Sequence, residues 1–174
     1  MIKFFTYFLQ SIIIYIFFIL GKIMGITLSR KLFSYLFLKI GHNFKSKRLI
    51  ESNLNIYSKN LTEIKRNEII SDMWKNYGKT FIEYIFLNYF KKNNTHIKIE
   101  GVDKLEKVLK LKKPVIFVSG HFANYELMSM ELSKAKVKLA TIYRPLNNIF
   151  LNPFMEFLRR KYVCKNQIKK GING

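Results

Sequence analysis

Val115-Ile116-Phe117-Val118-Ser119-Gly120-His121-Phe122-Ala123-Asn124-Tyr125-Glu126 is the stretch on which the reading of this chain turns. Four apolar residues, all of them β-branched or aromatic, follow the breaker Pro114 and predict a buried strand over Val115–Val118. Gly120 allows the backbone to turn sharply at the strand's end. Phe122 to Lys134 then shows helical spacing of its apolar residues. His121 is therefore expected at a strand-to-helix turn, at the carboxyl end of a strand, where open α/β sheets place their ligand crevice.

The pair His121 and Glu126 suggests a proton-transfer site. Five positions on one straight helix would separate the side chains by about 140° around the axis. A turn ahead of the helix removes that objection, since Glu126 can then reach back toward the imidazole. The carboxylate would hold one ring nitrogen, leaving the other to take a proton from an alcohol. The helix start would add backbone N–H groups near a developing anion. On spacing alone the plainer reading stays open, with His121 a polar turn residue and Glu126 a solvated helix position.

Working outward, the chain alternates between strand and helix periods. Ile97-Lys98-Ile99 alternates as a strand, and Val102, Leu105, Val108 and Leu109 mark a short helix. Val137 to Tyr143 reads as another strand, ended by Pro145, and Pro153 to Arg160 as a further helix. Tyr162-Val163-Cys164 reads as a short strand. This order argues for an α/β sheet covered by helices. Upstream, Thr62 is a plausible N-cap, with Glu63 in the first turn. The helix it opens carries Trp74, Tyr77, Phe81, Tyr84 and Ile85 on one face, an aromatic stripe of the kind that builds a core.

The N-terminus is of another kind. Phe4 to Gly21 contains no charge and is bracketed by Lys3 and Lys22. That length lies at the lower edge for a bilayer-crossing helix. No small-residue cleavage site follows, so an uncleaved anchor, spanning or deeply embedded, is expected there, within a region of anchor and interfacial helices over residues 1–45. From Leu28 to Ile40 apolar residues recur at helical spacing with Arg30, Lys31 and Lys39 on other faces, as in an interfacial amphipathic helix. More basic residues follow the apolar run than precede it, so residues 46–174 are expected on the cytoplasmic side of the membrane.

Composition narrows the partners. Among 174 residues, 31 Lys+Arg against 11 Asp+Glu give a net charge of +20, which calls for an anionic partner or surface. No helix-turn-helix, zinc, KH or RNP pattern supports nucleic acid, whereas basic residues interleaved with long apolar runs suit an anionic membrane leaflet. A lysine-rich, AT-rich coding sequence would account for part of the excess without any partner. The single cysteine, Cys164, excludes an internal disulfide and reads as buried and inert. Neither a Gly-rich phosphate loop nor metal-ligand spacing is present, so no cofactor and no metal are expected.

Gly120-His121-Phe122-Ala123-Asn124-Tyr125-Glu126-Leu127 resembles the Gly-His-Phe-Gly-Asn-Trp-Glu block of the lipid A biosynthesis late acyltransferases, the lauroyl/myristoyl type within the wider His-x4-Asp/Glu acyltransferases. Co-linear blocks agree with it: Glu51-Ser52-Asn53-Leu54, Met73 to Glu83, Ile97 to Gly101, and Tyr143-Arg144-Pro145-Leu146-Asn147-Asn148 for a Tyr-Arg-Pro-x-x-Asn motif. Arg159 falls where the family keeps an arginine. The Phe-Pro-Glu that follows Asn-Leu in the family is replaced by Asn55-Ile56-Tyr57-Ser58. Family members also run past the Gly171-Ile172-Asn173-Gly174 at which this sequence stops, through a strand ending in an Asp-Gln block. The chain therefore resembles an N-terminal portion of such a protein.

The resemblance implies the first part of a helix-covered mixed sheet of glycerolipid-acyltransferase type. It implies acyl transfer from an acyl carrier protein thioester to a hydroxyl of a lipid A precursor, with the membrane as the setting. His121 would be the base and Glu126 its orienting partner. Arg144, Arg159 and Asn147 are candidates for binding substrate, with a structural salt bridge the alternative for each arginine. Ser119 lacks the Gly-x-Ser-x-Gly elbow of a nucleophile. Two other functions remain: an acyltransferase for another lipid or glycolipid acceptor, and a non-catalytic basic membrane protein.

Overall fold

The computed structural model describes residues 2–171 and is mostly helical, with one long apolar helix and a small parallel sheet. The last three positions of the sequence, where the chain was read as ending early, lie outside the described residues. In order, the elements are α1 (Ile2–Ile40), a 3₁₀ turn (Gly41–Asn43), α2 (Lys47–Tyr57), α3 (Glu63–Glu83), a 3₁₀ turn (Tyr84–Phe86) and α4 (Leu87–Lys92). They are followed by α5 (Val102–Lys110), α6 (Glu126–Lys134), β1 (Ala140–Tyr143), α7 (Asn152–Leu158), a π turn (Arg159–Val163) and β2 (Asn166–Lys169).

The anchor and the amphipathic segment are two arms of one kinked helix. Gly25 sits at φ 76°, ψ 167°, a conformation essentially confined to glycine, and interrupts the hydrogen-bond ladder there. A break of this kind frees carbonyls at the end of the first arm. Ser29, fully buried, donates its hydroxyl to the Gly21 carbonyl at 2.7 Å and so satisfies one of them across the kink.

The second arm lies close against α3. A Cβ on Gly78 would collide with the Phe33 carbonyl, so the two backbones approach as only a glycine allows. Ser34 donates to the Lys75 carbonyl at 3.0 Å across the same contact. Thr62 caps α3 as expected, its hydroxyl accepting from the Lys65 amide at 3.3 Å. Most of the aromatic stripe is core, although Tyr77 stays 41% exposed: Phe81 packs on Phe18, Phe33 and Phe37 at ring-centroid distances of 5.2, 5.7 and 5.4 Å. Ile82, Leu87, Phe90 and Met130 complete this core without exposed surface. Each such side chain contributes about 1.5–3 kcal/mol on burial. A second cluster joins Ile50 and Leu54 of α2 to Trp74 of α3.

The sheet is smaller than the sequence suggests. β1 and β2 pair in parallel, Ala140 with Asn166 through Tyr143 with Lys169, and α7 with its π turn forms the connection that parallel strands require. Val115–Val118 is not a buried strand: Ile116 and Val118 are 89% and 91% exposed, and no ladder pairs the segment among the described residues. An apolar run becomes a buried strand only where neighbours accept its backbone hydrogen bonds and cover both faces, and this segment runs between two clefts instead. Among the described residues Ile97–Ile99 also has no ladder partner; it lines one of the two clefts instead. Tyr162–Cys164 is no strand either: Tyr162 and Val163 finish the π turn, closed by the Cys164 amide donating to the Arg159 carbonyl at 2.9 Å. Cys164 is buried, as expected. The helix predicted from Phe122 begins at Glu126, because Ala123, at φ 47°, breaks helical geometry.

Candidate active site

Two consecutive residues at the end of α3 hold the His121–Glu126 loop in place. Glu83 is buried and accepts from Arg30 of α1 at 2.6 Å and from the Asn124 side-chain amide at 2.9 Å. Tyr84 donates its hydroxyl to Glu126 Oε1 at 2.8 Å, and the Tyr84 hydroxyl oxygen also lies 3.1 Å from the Tyr125 hydroxyl. The kinked helix, the aromatic helix and the loop are thus joined through two neighbouring side chains. Asn124 and Glu126 are both buried, while His121 at the head of the loop is exposed.

Glu126 opens α6, where a carboxylate is favoured by the partial positive charge of the helix start. Its principal partner is Arg159, whose Nε donates to Oε1 at 2.7 Å. The two side chains retain 12% and 8% of their exposure, so this is a largely dehydrated ion pair. Arg159 also donates from a terminal nitrogen to the Tyr84 hydroxyl at 3.1 Å, closing a triangle of Glu126, Arg159 and Tyr84. The wide π turn presents Arg159 to this triangle. Burial alone would lower the Arg159 guanidinium, but the Glu126 charge and the Tyr84 contact outweigh it and raise it. Burial, reinforced by Glu126, pushes the Tyr84 phenol far above its ordinary 10.0, so it remains a hydrogen-bond donor.

The structure therefore brings Glu126 to Arg159 and Tyr84. Among the described residues no hydrogen bond joins it to His121, whose ring instead rests on Tyr125 with centroids 4.0 Å apart. His121, Tyr125, Glu126, Arg144 and Arg159 nevertheless line one cleft of about 1110 Å³, between the Val115–Gly120 segment and β1. Arg144, exposed just past β1, contributes a cation to its wall. An imidazole, a buried carboxylate held by a guanidinium, and a second, exposed cation facing one space can accept a proton and bind an anionic group.

Asn147 does not line this cleft and is exposed. Its neighbour Asn148 is the buried one. Asn148 accepts from the Ser11 hydroxyl at 3.0 Å and from the Phe150 amide at 3.0 Å, and donates to the Tyr7 carbonyl at 2.9 Å, pinning the loop after β1 to α1. The final asparagine of the Tyr-Arg-Pro-x-x-Asn block was the available signal for it. Tyr84 was legible only as part of the apolar stripe. A carboxylate and a phenol side by side at the end of that stripe, Glu83-Tyr84, were the sign that polar groups would be buried there and need partners.

The family model for bacterial lipid A biosynthesis acyltransferases matches residues 2–169 of the chain. No curated protein and no solved structure gave a significant match. The match runs through every element described, from the apolar helix to β2, and family membership implies an acyltransferase with an acyl donor and a lipid acceptor. The chain belongs to the bacterial lipid A biosynthesis acyltransferase family.

Proposed function

We propose that this protein moves a fatty acyl chain from an acyl carrier protein thioester to a hydroxyl of a lipid A precursor, at the cytoplasmic face of a bacterial inner membrane. The observation that carries this reading is the common cleft of His121, Glu126, Arg144 and Arg159 in a chain of this family. His121 takes the proton of the acceptor hydroxyl. The oxygen attacks the thioester carbonyl carbon, and the carbon–sulfur bond breaks as the thiolate recovers the proton from the imidazolium. No covalent acyl-enzyme is required.

Exposure of His121 suits a base that must meet a bulky lipid alcohol at the cleft mouth. Glu126 acts as the partner of the imidazolium from within its ion pair, with Arg159 and Tyr84 fixing the carboxylate. Arg144 attracts a phosphate of the acceptor, and Arg159 lies where it can also steady the thioester oxyanion. Asn147, on the exposed loop beside Arg144, adds at most a contact outside the cleft. A helix-covered mixed sheet of the glycerolipid-acyltransferase type is part of the same proposal. The parallel β1–β2 pair and the exposed apolar Val115–Val118 segment across the cleft support it.

Acyl transfer by the full chain in membranes, with acyl carrier protein thioester and lipid A precursor, tests the assignment. His121→Ala should lower kcat by about 10²–10⁴ while leaving unfolding unchanged, because the ring is exposed. Full activity of that variant refutes the base assignment, and transfer only to a lysophospholipid acceptor refutes the acceptor.

A further inference from the structure

The first arm of α1 presents two opposed stripes. Phe5, Leu9, Ile12, Ile16, Ile19 and Ile23 recur at alternating spacings of four and three, and all are exposed, from 40% at Ile12 to 77% at Ile23. The inward stripe is occupied along most of its length. Tyr7 and Ser11 hydrogen-bond to Asn148, and the Tyr15 hydroxyl donates to the Phe150 carbonyl at 2.9 Å. Phe4 and Phe8 meet the Phe150 ring edge-on at 5.0 and 5.4 Å, and Phe18 meets Phe154 at 5.9 Å.

Length would permit a crossing: residues 2–24 of a helix extend about 34 Å, against a hydrocarbon core of about 30 Å. The docked loop does not permit it. Contacts from Phe4 to Phe18 run along about 21 Å of helix, so a crossing would carry residues 148–154 through the bilayer with it. Irregular backbone is not tolerated facing lipid within the hydrocarbon region. Exposed Arg144, four positions from Asn148, would be dragged toward it as well.

We propose that α1 does not cross the membrane but lies against one leaflet, its outward stripe sunk among acyl chains and both its ends on the same side. The occupant of the stripe is an anionic lipid leaflet. The most apolar window of the helix has a mean hydropathy of 2.2 with only 17% of it buried, and the chain carries a net charge of +20 for the head groups. This placement brings the cleft to the level of a lipid acceptor, but it stands on the Asn148 and Phe150 contacts alone and holds whether or not the acyl-transfer reading does.

Single cysteines introduced as Lys3→Cys, Ile13→Cys and Lys59→Cys test it, with buried Cys164 of the unaltered chain as the labelling blank. A membrane-impermeant maleimide is applied to sealed inverted inner-membrane vesicles and to intact spheroplasts. Lys3, in the first turn of α1, and Lys59, beyond its C-terminal end, are both exposed and take no part in the hydrogen bonds described. Both positions should label in the same preparation, and Ile13→Cys in neither until detergent is added. Labelling of positions 3 and 59 from opposite sides overturns the proposal. So does free labelling of position 13 in intact vesicles, or recovery of the protein in the soluble fraction with position 13 shielded. Acyl transfer is not read in this experiment, so its outcome is separate from that of the catalytic proposal.

Discussion

Removing Arg159 should cost far more stability than its single ion pair would suggest from its distance alone. In the native chain Glu126 keeps 8% of its side-chain exposure and has Arg159 at 2.7 Å and the Tyr84 hydroxyl at 2.8 Å. Arg159→Met preserves much of the side-chain volume but leaves the carboxylate in a dry site with one neutral donor. Breaking a buried pair in this way costs about 3–5 kcal/mol. Arg160→Met is the internal control, since Arg160–Glu156 is an i,i+4 pair with the arginine 52% exposed, a class worth about 0.3–0.5 kcal/mol. Guanidinium unfolding of the detergent-solubilised protein, followed through Trp74, reads both variants. Adding Glu126→Gln to Arg159→Met should recover a large share of the loss, because the stranded charge is gone; the double-mutant cycle measures that coupling. A loss below about 1 kcal/mol for Arg159→Met, or a double variant no more stable than the single one, would refute a dehydrated ion pair at the base of the cleft.

Three further substitutions have outcomes that can be checked. The folded state holds the Tyr84 proton more tightly than the unfolded chain, so this contribution is complete below pH 10.0 and is lost as pH rises through the raised folded value; Tyr84→Phe should therefore flatten the alkaline limb of a stability–pH profile while leaving its acid limb unchanged. Gly25→Ala meets open space but forces a side chain into a conformation essentially confined to glycine and should cost about 1–3 kcal/mol. Gly78→Ala must push α3 away from the Phe33 carbonyl and should cost about 1–3 kcal/mol or more, and thermal unfolding that shows no loss for this variant would contradict the close approach of α1 and α3.

The segments that were legible are those whose signal is local. Thr62 caps its helix with its own hydroxyl, the Phe81 stripe turns inward because of its spacing, and Gly101 is followed by the short α5 expected from Val102 to Leu109. Val115–Val118 was misread because burial of a strand is decided by what lies beside it. The same four side chains would be core between two strands and are solvent-facing between two clefts. Glu126 was expected to orient His121, its neighbour in sequence, whereas its hydrogen-bond partners in the structure are Arg159 and Tyr84. Arg159 and Tyr84 are 33 and 42 positions away, and reach it because α3 and the π turn pack around the start of α6.

By itself the amino-acid sequence determined that this chain carries an uncharged apolar helix, a strongly cationic remainder, and a histidine at a turn ahead of a carboxylate, because period, charge and turn chemistry act over a few neighbouring residues. Only the tertiary structure decided that the carboxylate pairs with Arg159, that Asn148 rather than Asn147 is buried, and that the apolar helix is docked along one side. Those outcomes depend on hydrogen bonds and desolvation between distant segments, and a polar group driven out of water takes whichever partner the packing delivers.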